Sequence, residues 1–333
     1  MPTNRDIDLR ATMADAPSQN EARKGDCWHG DGAQSDYSDP RSSRLPFPPD
    51  ALSARCIVRA REPLARWTTL QVGGPADWYV EPAEERDIEV VVRGCRQRGV
   101  PLLMLGRGSN LVVRDGGFRG VVMALRQTGF CYVEVEGDRV RCGAGALLSE
   151  VAGAACERGI GGFEFMDGIP GTVGGALRMN AGAFGSWTFN VLETVRYMDR
   201  DGVVRDRPKA TIDAAYRGCG FFAEAIALSA MFKGYPAPPS LIEVRTEELR
   251  ARRRATQPRG RSAGCIFKNT ARGPAGWLID QAGLKGRRVG PAVVSSIHAN
   301  FLVNEGGATA SDVLNLIRQV REQVRRVWGI DLE

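Results

Sequence analysis

The sequence predicts a mixed α/β (α+β) protein of more than one packed unit, and three observations predict it. A chain of 333 residues exceeds the length at which a single core usually stops growing. Short apolar runs ended by glycine recur from residue 64 onward, as expected of buried strands. Between and after them lie stretches with apolar residues three and four apart, the spacing of amphipathic helices.

In chain order, residues 1–54 are rich in Asp, Ser, Arg, Gly and Pro without apolar periodicity, as in "DGAQSDYSDPRSSRLPFPPD", and read as a disordered tail. Val100–Leu105 and Val121–Leu125 read as buried strands. Residues 131–142 read as a hairpin, because "CYVEVE" and "RVRC" alternate around Gly137-Asp138. Leu147–Arg158 fits an amphipathic helix, and "VLETVRYMD" and "EAIALSAMF" are strand-like. A basic helix, "EELRARRRA", follows Ile242. The last helix spans about Asp312–Trp328, with Val313, Leu316, Ile317, Val320, Val324 and Val327 on one stripe, a Thr309/Asp312 cap and a stop at Gly329.

Composition narrows the function classes. Apolar and charged fractions of 43% and 25% are those of an ordinary globular protein. The net charge of +6 is spread along the chain apart from the run Arg250–Arg261, so nucleic acid is a weak reading and a phosphorylated small molecule suits the charge equally well. Eight cysteines form no C-x-x-C pair and only two histidines could join them, so neither a zinc site nor a disulfide framework is expected. No apolar run approaches the ~20 residues of a membrane helix, and no signal peptide opens the chain, so a cytoplasmic protein without membrane association is expected.

Four segments are candidates for chemistry. Leu105-Gly106-Arg107-Gly108-Ser109-Asn110 follows a strand and could bring backbone N–H groups to a phosphate; an ordinary tight turn is the alternative. The run from Gly168 to Gly185 concentrates glycine around Pro170, which suggests backbone wrapped closely about a flat or anionic ligand; a tight bend between packed elements is the alternative. Cys265, within Ser262–Asn269, is either an inert buried thiol or, with Lys268 nearby, a proton donor. Tyr216-Arg217 could bind a carboxylate or phosphate, or be plain surface.

Read in order, these segments resemble the UDP-N-acetylenolpyruvoylglucosamine reductases, also called UDP-N-acetylmuramate dehydrogenases. The pieces are "TTLQVGGPADWYVEP" (68–82), "LGRGSNLVVRDGGFRGVV" (105–122), "GIPGTVGGALRMNAGAFG" (168–185), "YR" (216–217), "SAGCIFKN" (262–269), "AGWLIDQAGLKG" (275–286) and "HANFLVN" (298–304). The absence of a tyrosine-bearing insertion after Gly185 is similar to the family's shorter type. The resemblance implies a two-part FAD-binding domain of the vanillyl-alcohol-oxidase/PCMH type, at 55–126 and 127–238, and a C-terminal α/β substrate-binding domain at 239–333. It assigns FAD contacts to Val72, Gly73, Gly106, Arg107, Gly108, Ser109, Asn110, Leu111, Gly168, Ile169, Pro170, Gly171, Val173, Gly174, Gly175 and Gly182.

The resemblance further implies a monomer in which NADPH reduces the flavin and leaves, and the UDP-sugar then takes hydride at its vinyl carbon. Arg217 would hold the substrate carboxylate and the developing enolate. Cys265 stands where the family usually has a serine proton donor. Tyr216, Lys268, Asn269, Lys285, His298 and Asn300 would contact the UDP-sugar, although His298 and Asn300 suit a structural role nearly as well. The family's remaining catalytic group is a glutamate in a C-terminal "EPEV" strand. The sequence ends at Gly329-Ile330-Asp331-Leu332-Glu333, so Glu333 matches the first Glu and the catalytic one is absent. Another flavin oxidoreductase, or a non-catalytic flavin or UDP-sugar binder, is the alternative that this absence leaves open.

Overall fold

A computed structural model describes residues 45–333. The first sheet has the order β1-β2-β4-β3. β1 (Ile57–Pro63) pairs antiparallel with β2 (Pro75–Glu81), and α1 (Glu85–Arg98) crosses to β3 (Leu102–Met104). β4 (Phe118–Met123) lies between β2 and β3, parallel to both. α1 buries Ile88, Val91, Val92 and Cys95, spaced as one helical face, and Gly99 ends it at φ +62°.

The second sheet, β11-β10-β12-β6-β5, is antiparallel throughout. β5 (Val133–Glu136) and β6 (Arg139–Gly143) form the expected hairpin, turning at Gly137 with φ +61°. Between them and the remaining strands come α2 (Leu148–Glu157), β7 (Ile160–Gly161), α3 (Glu164–Asp167), α4 (Val173–Met179), a small hairpin of β8 (Gly182–Ala183) and β9 (Ser186–Trp187), and α5 (Thr188–Val191). β10 (Leu192–Met198), β11 (Val204–Pro208), α6 (Phe221–Glu224) and β12 (Ile226–Lys233) complete the unit, and β13 (Tyr235–Pro236) pairs with β7.

The third sheet, β14-β17-β16-β15, follows α7 (Pro239–Thr256). It comprises β14 (Arg261–Cys265), β15 (Arg288–Val289), β16 (Ala292–Val294) and β17 (Phe301–Asn304), covered by α8 (Ala275–Gln281) and α9 (Ala310–Trp328). Val313, Leu316, Val320 and Val324 of α9 are buried, but Val327 is 47% exposed: the expected stripe runs one turn too far. Thr309 and Asp312 cap each other's backbone at the start, and Gly329 closes the helix at φ +66°.

Two features tie these units together. Asp115, in the loop before β4, accepts hydrogen bonds from Ala310 N, Ser311 N and Ser311 Oγ at 2.6–2.8 Å, fastening the start of α9. Leu70 and Val72, from the loop before β2, are buried in the apolar core of the third sheet with Leu278, Leu302 and Val320. Ordered packing also begins before residue 55, contrary to the reading of the composition. Phe47 is 2% exposed and lies against Gly94 of α1, where an added Cβ would come within 2.7 Å of the Phe47 Cβ. One aromatic ring so placed contributes about 1.5–3 kcal/mol by leaving water. Residues 1–44 lie outside the described residues. Among the described residues no helix is long and apolar enough to cross a membrane.

Candidate active site

A cleft of about 1630 Å³ runs between the sheets. It exceeds the ~300–1,000 Å³ of an ordinary small-molecule site. One wall is backbone. The 106–111 loop meets the segment 169–176 there, and Thr172 caps α4 by accepting from Gly175 N at 3.3 Å. The glycines divide into two kinds. A Cβ at Gly106 would lie 2.8 Å from Thr172 Oγ1, and one at Gly108, whose φ is +67°, only 2.1 Å from the Trp67 carbonyl oxygen. These two let protein pack on protein. At Gly171 and Gly175 an added Cβ would meet nothing nearer than 3.6 and 3.5 Å, so the space it would fill belongs to the cleft. Main chain there is free to approach a flat or anionic ligand closely. Arg126 also lines this wall, lying 4.5 Å from the centre of the Trp67 ring and donating to Gly106 O at 3.2 Å.

The other wall carries side chains. Ala215 and Gly218 exchange backbone hydrogen bonds, which folds Tyr216-Arg217 into a tight turn with Arg217 at φ +59°. A left-handed conformation at a branched-chain-free but bulky residue is uncommon and costs about 1–3 kcal/mol, an expense seen mainly at functional sites. The turn aims Arg217 Nη2 at the Cys265 carbonyl oxygen, 2.5 Å away. Cys265 itself sits after a β-bulge. Ser262 faces Val303 but Cys265 faces Phe301, so one extra residue is accommodated at Ala263-Gly264, with Gly264 at φ +74°. Burial pushes the Cys265 thiol above its ordinary range, and the charges of Arg217 and Arg253 pull it partly back. Arg253, half-buried on α7, also lines the cleft, and burial lowers its own affinity for its proton.

Of the residues expected at the site, the cleft wall brings together Gly106, Arg107, Gly108, Ser109, Asn110, Leu111, Ile169, Pro170, Gly171, Gly174, Gly175, Gly182, Tyr216, Arg217, Cys265, Asn269 and Asn300. Val72, Gly73, Gly168, Val173, Lys268, Lys285 and His298 are not on it. Val72 is buried in the third sheet's core, and its carbonyl accepts from Thr68 Oγ1 at 3.0 Å. Gly73 is required by Val113, whose Cβ would be 2.6 Å from an added one. Gly168 lies beside Arg253, and Val173, the first residue of α4, is buried.

Several expected substrate contacts have other partners. Lys268 pairs with the Glu333 carboxylate, and Lys285 with Asp280 at 2.7 Å. The His298 Nδ1 accepts from Asn300 N at 3.2 Å. Asn300 lines the cleft but is 2% exposed, and its amide exchanges two 2.9 Å hydrogen bonds with the Phe267 backbone, so its side chain is a structural clamp. Asn269 caps α8 through Ala275 N, and its own N–H reaches the Tyr216 hydroxyl at 3.4 Å. The sequence reading missed Arg253, Arg126 and Trp67. Thr172 carried a readable signal, a threonine directly before a short helix.

Comparison with known proteins agrees with this geometry. Residues 76–206 match the profile of an FAD-binding domain, and residues 256–333 that of the UDP-N-acetylenolpyruvoylglucosamine reductase C-terminal domain. The protein is thus an FAD-dependent oxidoreductase with a two-part architecture of cofactor and C-terminal domains. UDP-N-acetylenolpyruvoylglucosamine reductase of Pelobacter propionicus is 44% identical over 285 residues, 85% of this chain and 95% of that one. The reductase of Nitrobacter winogradskyi is 45% identical over 276 residues, 82% and 90% of the two chains. The crystal structure of the Thermus caldophilus reductase superposes with a TM-score of 0.72 at 35% identity, covering 84% of this chain and 97% of that one. The chain belongs to the UDP-N-acetylenolpyruvoylglucosamine reductase family.

Proposed function

We propose that the protein reduces UDP-N-acetylglucosamine enolpyruvate to UDP-N-acetylmuramate with NADPH as electron donor, a cytoplasmic step in making peptidoglycan precursors. One observation carries the reading: Arg217 and Cys265 are joined by a hydrogen bond on the wall facing the glycine cradle. The 106–111 loop and Gly171–Gly175 would hold FAD, which would supply the hydride for the substrate's vinyl carbon.

The protein's own groups do the rest. Addition at the vinyl carbon leaves an electron pair on the neighbouring carbon, shared with the carboxylate. Arg217 supplies positive charge there, and its turn fixes it beforehand, so little reorganisation accompanies the reaction. Cys265 gives its S–H proton to that carbon. Because burial raises the thiol, the proton stays on sulfur through neutral pH and the donor is loaded before substrate arrives. Tyr216 and Asn269, in contact with each other, contribute to holding the nucleotide sugar.

The test is NADPH consumption by FAD-loaded protein in the presence of the enolpyruvyl sugar, with mass spectrometry of the product. The sugar should gain two hydrogens. NADPH oxidation by oxygen alone, with the sugar unchanged, would sink the reading.

A further inference from the structure

The hairpin of β8 and β9 is short, yet it is held firmly. Phe184 and Gly185 turn it with φ of +54° and +88°. A two-residue hairpin loop needs positive φ at both positions, and phenylalanine is an unfavourable residue for the first. The register sets Gly182 opposite Trp187, so the two share a face. A Cβ added at Gly182 would come within 2.3 Å of Trp187 Cδ1 and 2.8 Å of Cγ: the glycine leaves the room in which the indole lies across the main chain. Trp187 N donates to Asn190 Oδ1 at 2.7 Å, and the Arg252 guanidinium lies over the Phe184 ring, 5.0 Å from its centre. The position of the indole is therefore fixed from its own strand and from the turn.

The indole so fixed is left open. Trp187 lines the cleft and is 41% exposed, and among the described residues no ring stacks on it and no acceptor meets its indole N–H. Trp67, the other tryptophan lining the cleft, is satisfied on both counts: its N–H goes to Glu62 at 2.9 Å and its ring stacks on Tyr79, 4.9 Å between centres. Asn180 ties the open indole to the side-chain wall. Its side chain donates to Ala215 O at 3.4 Å, in the turn that carries Tyr216-Arg217, and accepts from Phe189 N at 3.2 Å, two residues beyond Trp187. A free aromatic face with a free N–H at its edge suits a planar ring that is itself polar at the edge. We propose that Trp187 is the platform on which the heteroaromatic base of an incoming nucleotide stacks. The inference rests on the cleft taking a UDP-sugar and NADPH, which offer two sources of such a base.

Calorimetric titration of FAD-loaded protein with UDP, and separately with NADP+, reads the platform without turnover. Trp187→Ala should weaken at least one of the two by about tenfold, the order of one base stacked on an aromatic ring. Trp187→Phe should recover most of that loss, and the nucleotide that weakens names the base. Unchanged affinity for both in a Trp187→Ala protein that keeps its flavin and melting temperature overturns the proposal. Flavin lost from that variant, with its fold intact, assigns Trp187 to the cofactor and overturns it too. Where the alanine variant does not fold, Trp187→Leu should bind the nucleotide more weakly than Trp187→Phe, and equal affinity in the two overturns the platform. Failure of both nucleotides to bind the unmodified protein sinks the functional reading and the platform with it, whereas binding that ignores Trp187→Ala removes the platform alone.

Discussion

The two walls of the cleft are made by different means. The wall built by the first two sheets presents main chain, at positions where a side chain would collide with protein or occupy the cleft itself. The facing wall presents Arg217, Arg253 and Cys265, aimed by a left-handed turn, a helix face and a bulge. A backbone wall binds by shape and tolerates few additions. A side-chain wall acts by charge and loses its chemistry one group at a time.

Substitution on the charged wall should have the largest effect. Arg217→Met removes the charge while keeping much of the length. Turnover is expected to fall by about 10²–10³-fold, with flavin content unchanged in the same sample. Cys265→Ala should cost about 10²-fold or more, and Cys265→Ser less. The pH profile adds a sign. A thiol raised by burial holds its proton below that raised value, so turnover falls as pH climbs through it, and the serine variant should lack this alkaline limb. An identical limb in both variants would take the thiol out of the profile.

The backbone wall divides into its two kinds of glycine. Gly108→Ala must adopt φ +67° and place a Cβ 2.1 Å from the Trp67 carbonyl. It should destabilise the fold by about 1–3 kcal/mol, seen as a lower melting temperature with or without FAD. Gly175→Ala lies inside α4 with room for its methyl group, so melting without FAD should hold or rise while FAD affinity drops. Equal FAD affinity in Gly175→Ala and the unmodified protein would remove the cradle argument.

Asn300 stands between the walls in character, a polar residue spent on the fold. Asn300→Ala leaves two Phe267 backbone groups without partners and should cost about 2 kcal/mol in denaturant unfolding, with KM nearly unchanged. The smallest effect concerns His298. Burial, with Lys285 nearby, holds its imidazole below the ordinary histidine value. As pH falls through that ordinary value the unfolded chain takes the proton first, so stability present above it is lost down to the lower folded value. His298→Gln should flatten this part of the melting-temperature profile.

What the sequence disclosed follows from the range of the interactions. Local chemistry was readable: Thr309, Asp312 and Gly329 mark α9, Gly137 marks a hairpin turn, and clustered glycines mark the cleft. The role of Asn300 was ambiguous because its partner lies 33 residues away. Arg253 was hidden within a charge run, since only the packing of α7 decides which arginine faces inward. Val72 looked like part of a glycine-flanked cofactor loop, but it is recruited into the core of a sheet formed much later in the chain.

Asp115 carries this long-range logic into biogenesis. The residue that satisfies the first amides of α9 precedes them by 195 positions. Closing so long a loop is entropically costly, and contacts of this separation form late in folding. On the ribosome the glycine cradle therefore emerges well before the helix that completes the third sheet. The two segments joined at Asp115 can therefore meet only after the whole length between them has been made.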